Sequence, residues 1–100
     1  MAKEIIANSD RPVIIVIQGD HGPSGSQVTP HMRMSILNAY YVSDETKHDL
    51  YETITPVNTF RIIFNHYFGT NHPLLDDKSY IAFGQGQFTP DYLVPNTCTP

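Results

Sequence analysis

The sequence predicts an α/β fold: a small, mostly parallel sheet with one main helix packed on a face. Three observations carry that expectation. Val13-Ile14-Ile15-Val16-Ile17 is an unbroken β-branched run of strand length. A loop dense in glycine and proline, residues 18–26, follows it. Residues 56–68 then repeat apolar side chains at helical spacing between a capping and a stopping residue.

In chain order, residues 1–11 read as a lead-in. The Val13–Ile17 run, bounded by Pro12 and Gly19, suits a strand buried on both faces, the position that parallel sheets give their central strands. Its loop therefore lies at the carboxyl end of a central strand, where open α/β sheets place their ligands. Arg33 to Val42 is apolar with little periodicity and reads as a second strand. Residues 43–52, with Asp44, Glu45 and Lys47, read as an exposed loop. The helix runs from Pro56 to Phe68, with Thr55 as N-cap, Pro56 at the first position and Gly69 as the stop. At 100° per residue, Val57, Phe60, Ile63, Phe64, Tyr67 and Phe68 share an arc of roughly 140°, so that stripe should face the sheet. Ile62 is the exception on the polar side. Ser79 to Phe83 suits a short third strand, and residues 84–100 read as an irregular tail. Residues 12–83 then lie between the lead-in and the tail as one portion of a domain.

The composition narrows the function classes. One hundred residues allow one small domain. Six Lys and Arg against ten Asp and Glu give a net charge of −4, without a basic cluster, which argues against nucleic-acid binding. The single cysteine, Cys98, allows neither an internal disulfide nor a Cys-based zinc site, and its place in the tail suits a spectator. Val13–Ile17 is the longest apolar run, far short of the roughly 20 residues that cross a bilayer. Met1-Ala2-Lys3-Glu4 lacks the basic start and long apolar stretch of a signal peptide. Direct membrane insertion by this chain is therefore not expected.

Asp20-His21 is the pair most able to carry chemistry. Carboxylate oxygen and imidazole nitrogen both ligate divalent ions, and Gly19 and Gly22 free the backbone so that neighbouring side chains can converge. The same Gly-Asp-His-Gly sequence also suits a plain strand-ending turn with its aspartate bonded to local amides. Two ligands do not complete a catalytic centre, which takes three plus water. His31, His48, His66 and His72 are scattered without metal-ligand spacing and read as ordinary surface histidines. Ser24 and Ser26 lack a nucleophile elbow, and the glycine loop lacks the Lys-Ser/Thr of a phosphate-binding loop.

The order of segments is informative in another way. Residues 18–23 (QGDHGP), 35–41 (SILNAYY), 56–61 (PVNTFR), 64–70 (FNHYFGT) and 73–80 (PLLDDKSY) follow one another along residues 12–82. This resembles the C-terminal part of sulfatase-like hydrolases and transferases of the alkaline phosphatase superfamily. It is most similar to a branch of bacterial membrane proteins with sulfatase-type domains. Asn58 stands where many members have Asp, in keeping with that branch. The resemblance implies that Asp20 and His21 are two ligands of a divalent ion (zinc, manganese, magnesium or calcium), within a fragment of an alkaline-phosphatase-like sandwich. It also implies a parent with a membrane anchor and an extracytoplasmic catalytic domain. The family's acidic ligand and Thr, Ser or formylglycine nucleophile lie upstream, and nothing here matches them. The expected partner is accordingly the remainder of a catalytic domain, and the chain alone should be inactive.

Two functions therefore stand side by side. One is a C-terminal segment of a metal-dependent phospho- or sulfo-group hydrolase or transferase. The other is a self-standing α/β binding module without catalysis. A small metallophosphoesterase is disfavoured because no Asn-His-Asp and no second Gly-Asp is present.

Overall fold

The computed structural model describes residues 1–81 and 92–97. Helix α1 (Ala2–Asn8) opens the chain. Strand β1 (Ile15–Gln18), helix α2 (Pro30–Met34) and strand β2 (Asn38–Tyr41) follow. Helices α3 (Asp44–Asp49) and α4 (Pro56–Phe68) lead to strands β3 (Ser79–Ile81) and β4 (Tyr92–Val94). The predicted Ala82 and Phe83, residues 84–91 and Cys98 lie outside the described residues.

The predicted parallel sheet is not what forms. Among the described residues the strands make two separate antiparallel pairs, β1 with β2 and β3 with β4. The register sets Ile15 opposite Tyr41 and Gln18 opposite Asn38. A parallel return needs a crossover element that carries the chain back along the strand. Five-residue α2 is about 7 Å long against roughly 13 Å for a four-residue strand, so it turns the chain without carrying it back. The run Val13–Ile17 is correspondingly not a central strand. Only Ile15–Gln18 pair, with a single partner strand, and Ile17 is 52% exposed.

Three further segments differ from expectation. Residues 30–34 are helix, so Arg33 and Met34 at the start of the expected second strand are not strand, because Thr29 accepts the amide of Met32 and Pro30 sits in the first turn. Residues 44–49 are helix rather than loop. Ser43 caps them through the Thr46 amide, with Asp44 and Glu45 in the first turn and Lys47 and His48 in the last, the arrangement that the helix dipole favours. Residues 92–94 of the expected irregular tail form β4, whose Val94 is buried.

Helix α4 has the expected bounds, and Gly69 ends it in the left-handed conformation at φ 65°. Its buried side is another matter. Asn58, Thr59, Ile62 and Ile63 are buried, while Val57, Phe60, Phe64 and Phe68 are exposed. The cause is the segment after Gly69, which doubles back along the polar side. Arg61 donates to the Pro73 carbonyl, Asn65 to that of His72, and Asn58 to that of Leu75. The Leu75 amide donates in return to Asn58 Oδ1 at 2.9 Å. Polar side chains with such partners bury at little cost. The phenylalanines instead stack on one another in solvent, with ring centroids 6.2 Å apart for Phe60–Phe64 and 5.8 Å for Phe64–Phe68. Phe64→Ala should therefore cost about 1 kcal/mol in urea denaturation, not the 3–5 kcal/mol of a core phenylalanine.

Helix α3 docks on α4 through polar contacts as well. The Ser43 amide donates to the Tyr67 hydroxyl at 2.7 Å, and His66 Nε2 lies 2.7 Å from Asp49 Oδ2. Hydrogen bonds from His66 and then His48 hold the Asp49 carboxyl below the usual range. The apolar core is correspondingly thin: Ile62, Ile63 and Val94 are the buried hydrophobic residues among those described. The chain exposes 7741 Å², where a compact protein of 11.3 kDa exposes about 5700 Å². Among the described residues no helix is long and apolar enough to cross a membrane.

Candidate metal centre

Strand β1 delivers Asp20 and His21 by way of a pinned turn. The Gly19 amide extends the ladder by one bond, donating to Leu37 at 2.9 Å. Across the strand ends, Gln18 donates from its side-chain amide to Asn38 Oδ1 at 2.7 Å. The Gly22 amide then donates to the Arg33 carbonyl at the end of α2, at 2.6 Å. A Cβ on Gly22 would meet the carbonyl oxygens of Met32 at 2.1 Å, Ser35 at 2.8 Å and Arg33 at 3.0 Å. Gly22 is thus required by close approach rather than by backbone conformation. Among the described glycines only Gly25 and Gly69 have positive φ, so the expected conformational freedom at Gly19 and Gly22 is not what these positions use.

Between those anchors the two side chains lean toward one another. Asp20 Oδ2 and His21 Nε2 are 3.7 Å apart, and both residues are exposed. That separation is long for a hydrogen bond. It is close to the roughly 3.4 Å between two donors bound tetrahedrally at about 2.1 Å from one ion. On the far side of the ring, His21 Nδ1 lies 2.6 Å from the Gly22 carbonyl. A proton on Nδ1 would be given to that carbonyl, leaving the Nε2 lone pair facing Asp20, the usual way in which a metal-ligating histidine is oriented.

Arg33 enters the same corner. Its Nη1 is 2.7 Å from His21 Nδ1 and 3.3 Å from the Gly22 carbonyl, and it donates to Ser24 Oγ. Next to this cluster opens a cavity of about 370 Å³, whose walls include Pro23, Val28, Pro30 and Ile81.

The other histidines lie elsewhere. His31 contacts the Thr97 carbonyl at 3.0 Å. His48 and His66 flank Asp49, and His72 lies against Phe64. Among the described residues no three His, Cys, Asp or Glu side chains are grouped so as to hold a metal ion. Asp20 and His21 therefore form a pair without a third ligand from the described part of the chain.

Sequence reasoning missed a second polar centre, around Asp77. Its Oδ1 accepts from the Thr55 amide at 2.7 Å, the Thr55 hydroxyl at 2.6 Å and Asn58 Nδ2 at 3.1 Å. Its Oδ2 accepts from the Tyr51 hydroxyl at 2.5 Å. Asp77, not Thr55, thus caps α4, whose N-cap side chain makes no capping bond of its own. Burial pushes the Asp77 carboxyl up, but the combined hydrogen bonds from Thr55, Tyr51 and Asn58 outweigh it and hold the group below the usual carboxylate range. Burial, followed by the bond to Asp77, pushes the Tyr51 phenol up. All of these donors are used within the fold, so the centre is structural. No local signal could have revealed it, because the capping residue lies 22 positions from the residue it caps.

No family model, curated protein or solved structure matches this chain.

Proposed function

We propose that the chain is the C-terminal segment of a sulfatase-like hydrolase or phospho/sulfo-group transferase, supplying Asp20 and His21 to one divalent-metal centre and inactive alone. The observation that carries this reading is the 3.7 Å approach of Asp20 Oδ2 to His21 Nε2 with Nδ1 set against the Gly22 carbonyl. The order of the five sequence segments adds to it, whereas the antiparallel sheet does not contribute. In such chemistry the ion stabilises charge on the transferring group and activates a nucleophile. The nucleophile and the remaining ligands would come from the rest of the catalytic domain, which would also cover the exposed apolar surface. A membrane-anchored parent with its catalytic domain outside the cytoplasm belongs to the same reading.

Two ligands without a third should hold a metal only weakly. Added Mn²⁺ is expected to broaden the amide resonances of residues 19–24 at millimolar concentration, and Asp20→Asn with His21→Gln to abolish the effect. Uniform or absent broadening would overturn the proposal. Tight one-to-one binding would show that no outside ligands are needed. The alternative, a self-standing binding module, is favoured by the exposed Phe60, Phe64 and Phe68 ladder and expects no metal response at residues 19–24.

A further inference from the structure

Arg33 is half-buried in a chain of net charge −4, yet among the described residues it pairs with no carboxylate. Its contacts with His21 Nδ1 at 2.7 Å, the Gly22 carbonyl at 3.3 Å and Ser24 Oγ all gather on Nη1. The Nε–Nη2 edge, which can meet a carboxylate at two points, makes no hydrogen bond among the described residues. The cavity of about 370 Å³ that Arg33 helps to line has matching chemistry. Its other polar side chains are Ser24 and Thr29. Ser24 Oγ accepts from Arg33 and Thr29 Oγ1 accepts from the Met32 amide, so both hydroxyl protons remain for a ligand. Among the described residues no carboxylate lines the cavity, and Pro23, Val28, Pro30 and Ile81 make the rest of its wall apolar. Asp20 meets His21 at Nε2, on the opposite side of the ring from Arg33.

We propose that this cavity binds a small organic carboxylate with an apolar body. The carboxylate takes the free guanidinium edge and the two hydroxyl protons, and the apolar body lies against the prolines, Val28 and Ile81. One cation balances one negative charge, so a carboxylate fits better than a phosphate dianion. The volume lies near the lower end of the roughly 300–1,000 Å³ of small-molecule pockets, which suits a ligand of few atoms. The site goes beyond the metal-centre reading and needs neither Asp20 nor a metal ion.

The test titrates the full chain, ¹⁵N-labelled, with isovalerate at neutral pH in the presence of EDTA, so that no metal takes part. The Arg33 Nε–H signal and the amides of residues 24–29 should move and saturate at millimolar isovalerate. Isovaleramide has the same shape without the charge and should bind roughly tenfold more weakly, the scale of one charge-assisted hydrogen bond. Arg33→Met should weaken isovalerate by a similar factor. Acetate, which lacks the apolar body, should also bind about tenfold more weakly than isovalerate. Equal binding of the amide, or undiminished binding of isovalerate by Arg33→Met, would overturn the proposal, as would tighter binding of inorganic phosphate. Should Arg33→Met disturb the fold, the comparison of acid with amide on the unsubstituted chain decides. A static Arg33 Nε–H signal during that titration would overturn the proposal as well. A missing Mn²⁺ response at residues 19–24 leaves this expectation unchanged, so the two readings fail separately.

Discussion

Asp77→Ala is expected to cost about 3–5 kcal/mol of folding stability, read as a lowered urea midpoint with an unchanged denaturant slope. The substitution uncaps α4 and strips partners from the Thr55 amide and hydroxyl and from the Tyr51 hydroxyl. It also takes one acceptor from Asn58, which still bonds the Leu75 backbone. Asp77→Asn should cost less, about 1–2 kcal/mol, because an amide oxygen can still accept at the Oδ1 position. The pH dependence follows from the lowered carboxyl. Its folded value lies below its unfolded one, so its contribution is fully present above the ordinary carboxylate range and is lost as pH falls through the folded value. Thermal stability should therefore decline below about pH 4, and Asp77→Asn should flatten that decline. Asp49, whose carboxyl is also held low, contributes to the remaining slope. An Asp77→Ala protein as stable as the parent would refute this account of how α4 is anchored.

Gly22→Ala should have the second-largest effect, about 2–4 kcal/mol, because the new methyl meets three backbone carbonyls rather than a side chain that could swing aside. The turn must lift away from α2, which breaks the Gly22 amide bond to the Arg33 carbonyl. Asp20 and His21 then lose their shared orientation, so the Mn²⁺ broadening at residues 19–24 should fade along with the stability. Gly19→Ala is the control. Its Cβ would find the His21 carbonyl and the Leu37 amide nitrogen at 3.6 Å, ordinary contact distances, and both the fold and the metal response should survive. Equal behaviour of the two variants would show that the turn is not pinned at Gly22.

The contrast between the two ends of α4 shows how far local signals reach. Thr55-Pro56 and Gly69 marked its bounds because start and stop chemistry acts within a few residues. The inward face did not follow from the apolar arc. Ile63 alone of the expected stripe is buried, and Ile62, the apparent exception, is buried with it. The arc rule assumes that polar side chains seek water, whereas Asn58 found the Leu75 backbone and Asp77. The Ser43 and Thr29 caps were legible in the same local way as Thr55-Pro56. They were overshadowed by a charged composition in one case and an apolar one in the other.

By itself the sequence determined the extent of α4, the strand character of Ile15–Ile17, the third strand at Ser79 and the turn that carries Asp20 and His21. Each depends on backbone preferences and neighbours a few positions away. Tertiary structure alone decided that the strands pair antiparallel, that the polar side of α4 faces inward, that Asp77 caps it, and that Arg33 meets His21. Those outcomes turn on which distant groups satisfy one another's hydrogen bonds, and no periodicity along a chain encodes a partner a dozen or more residues away.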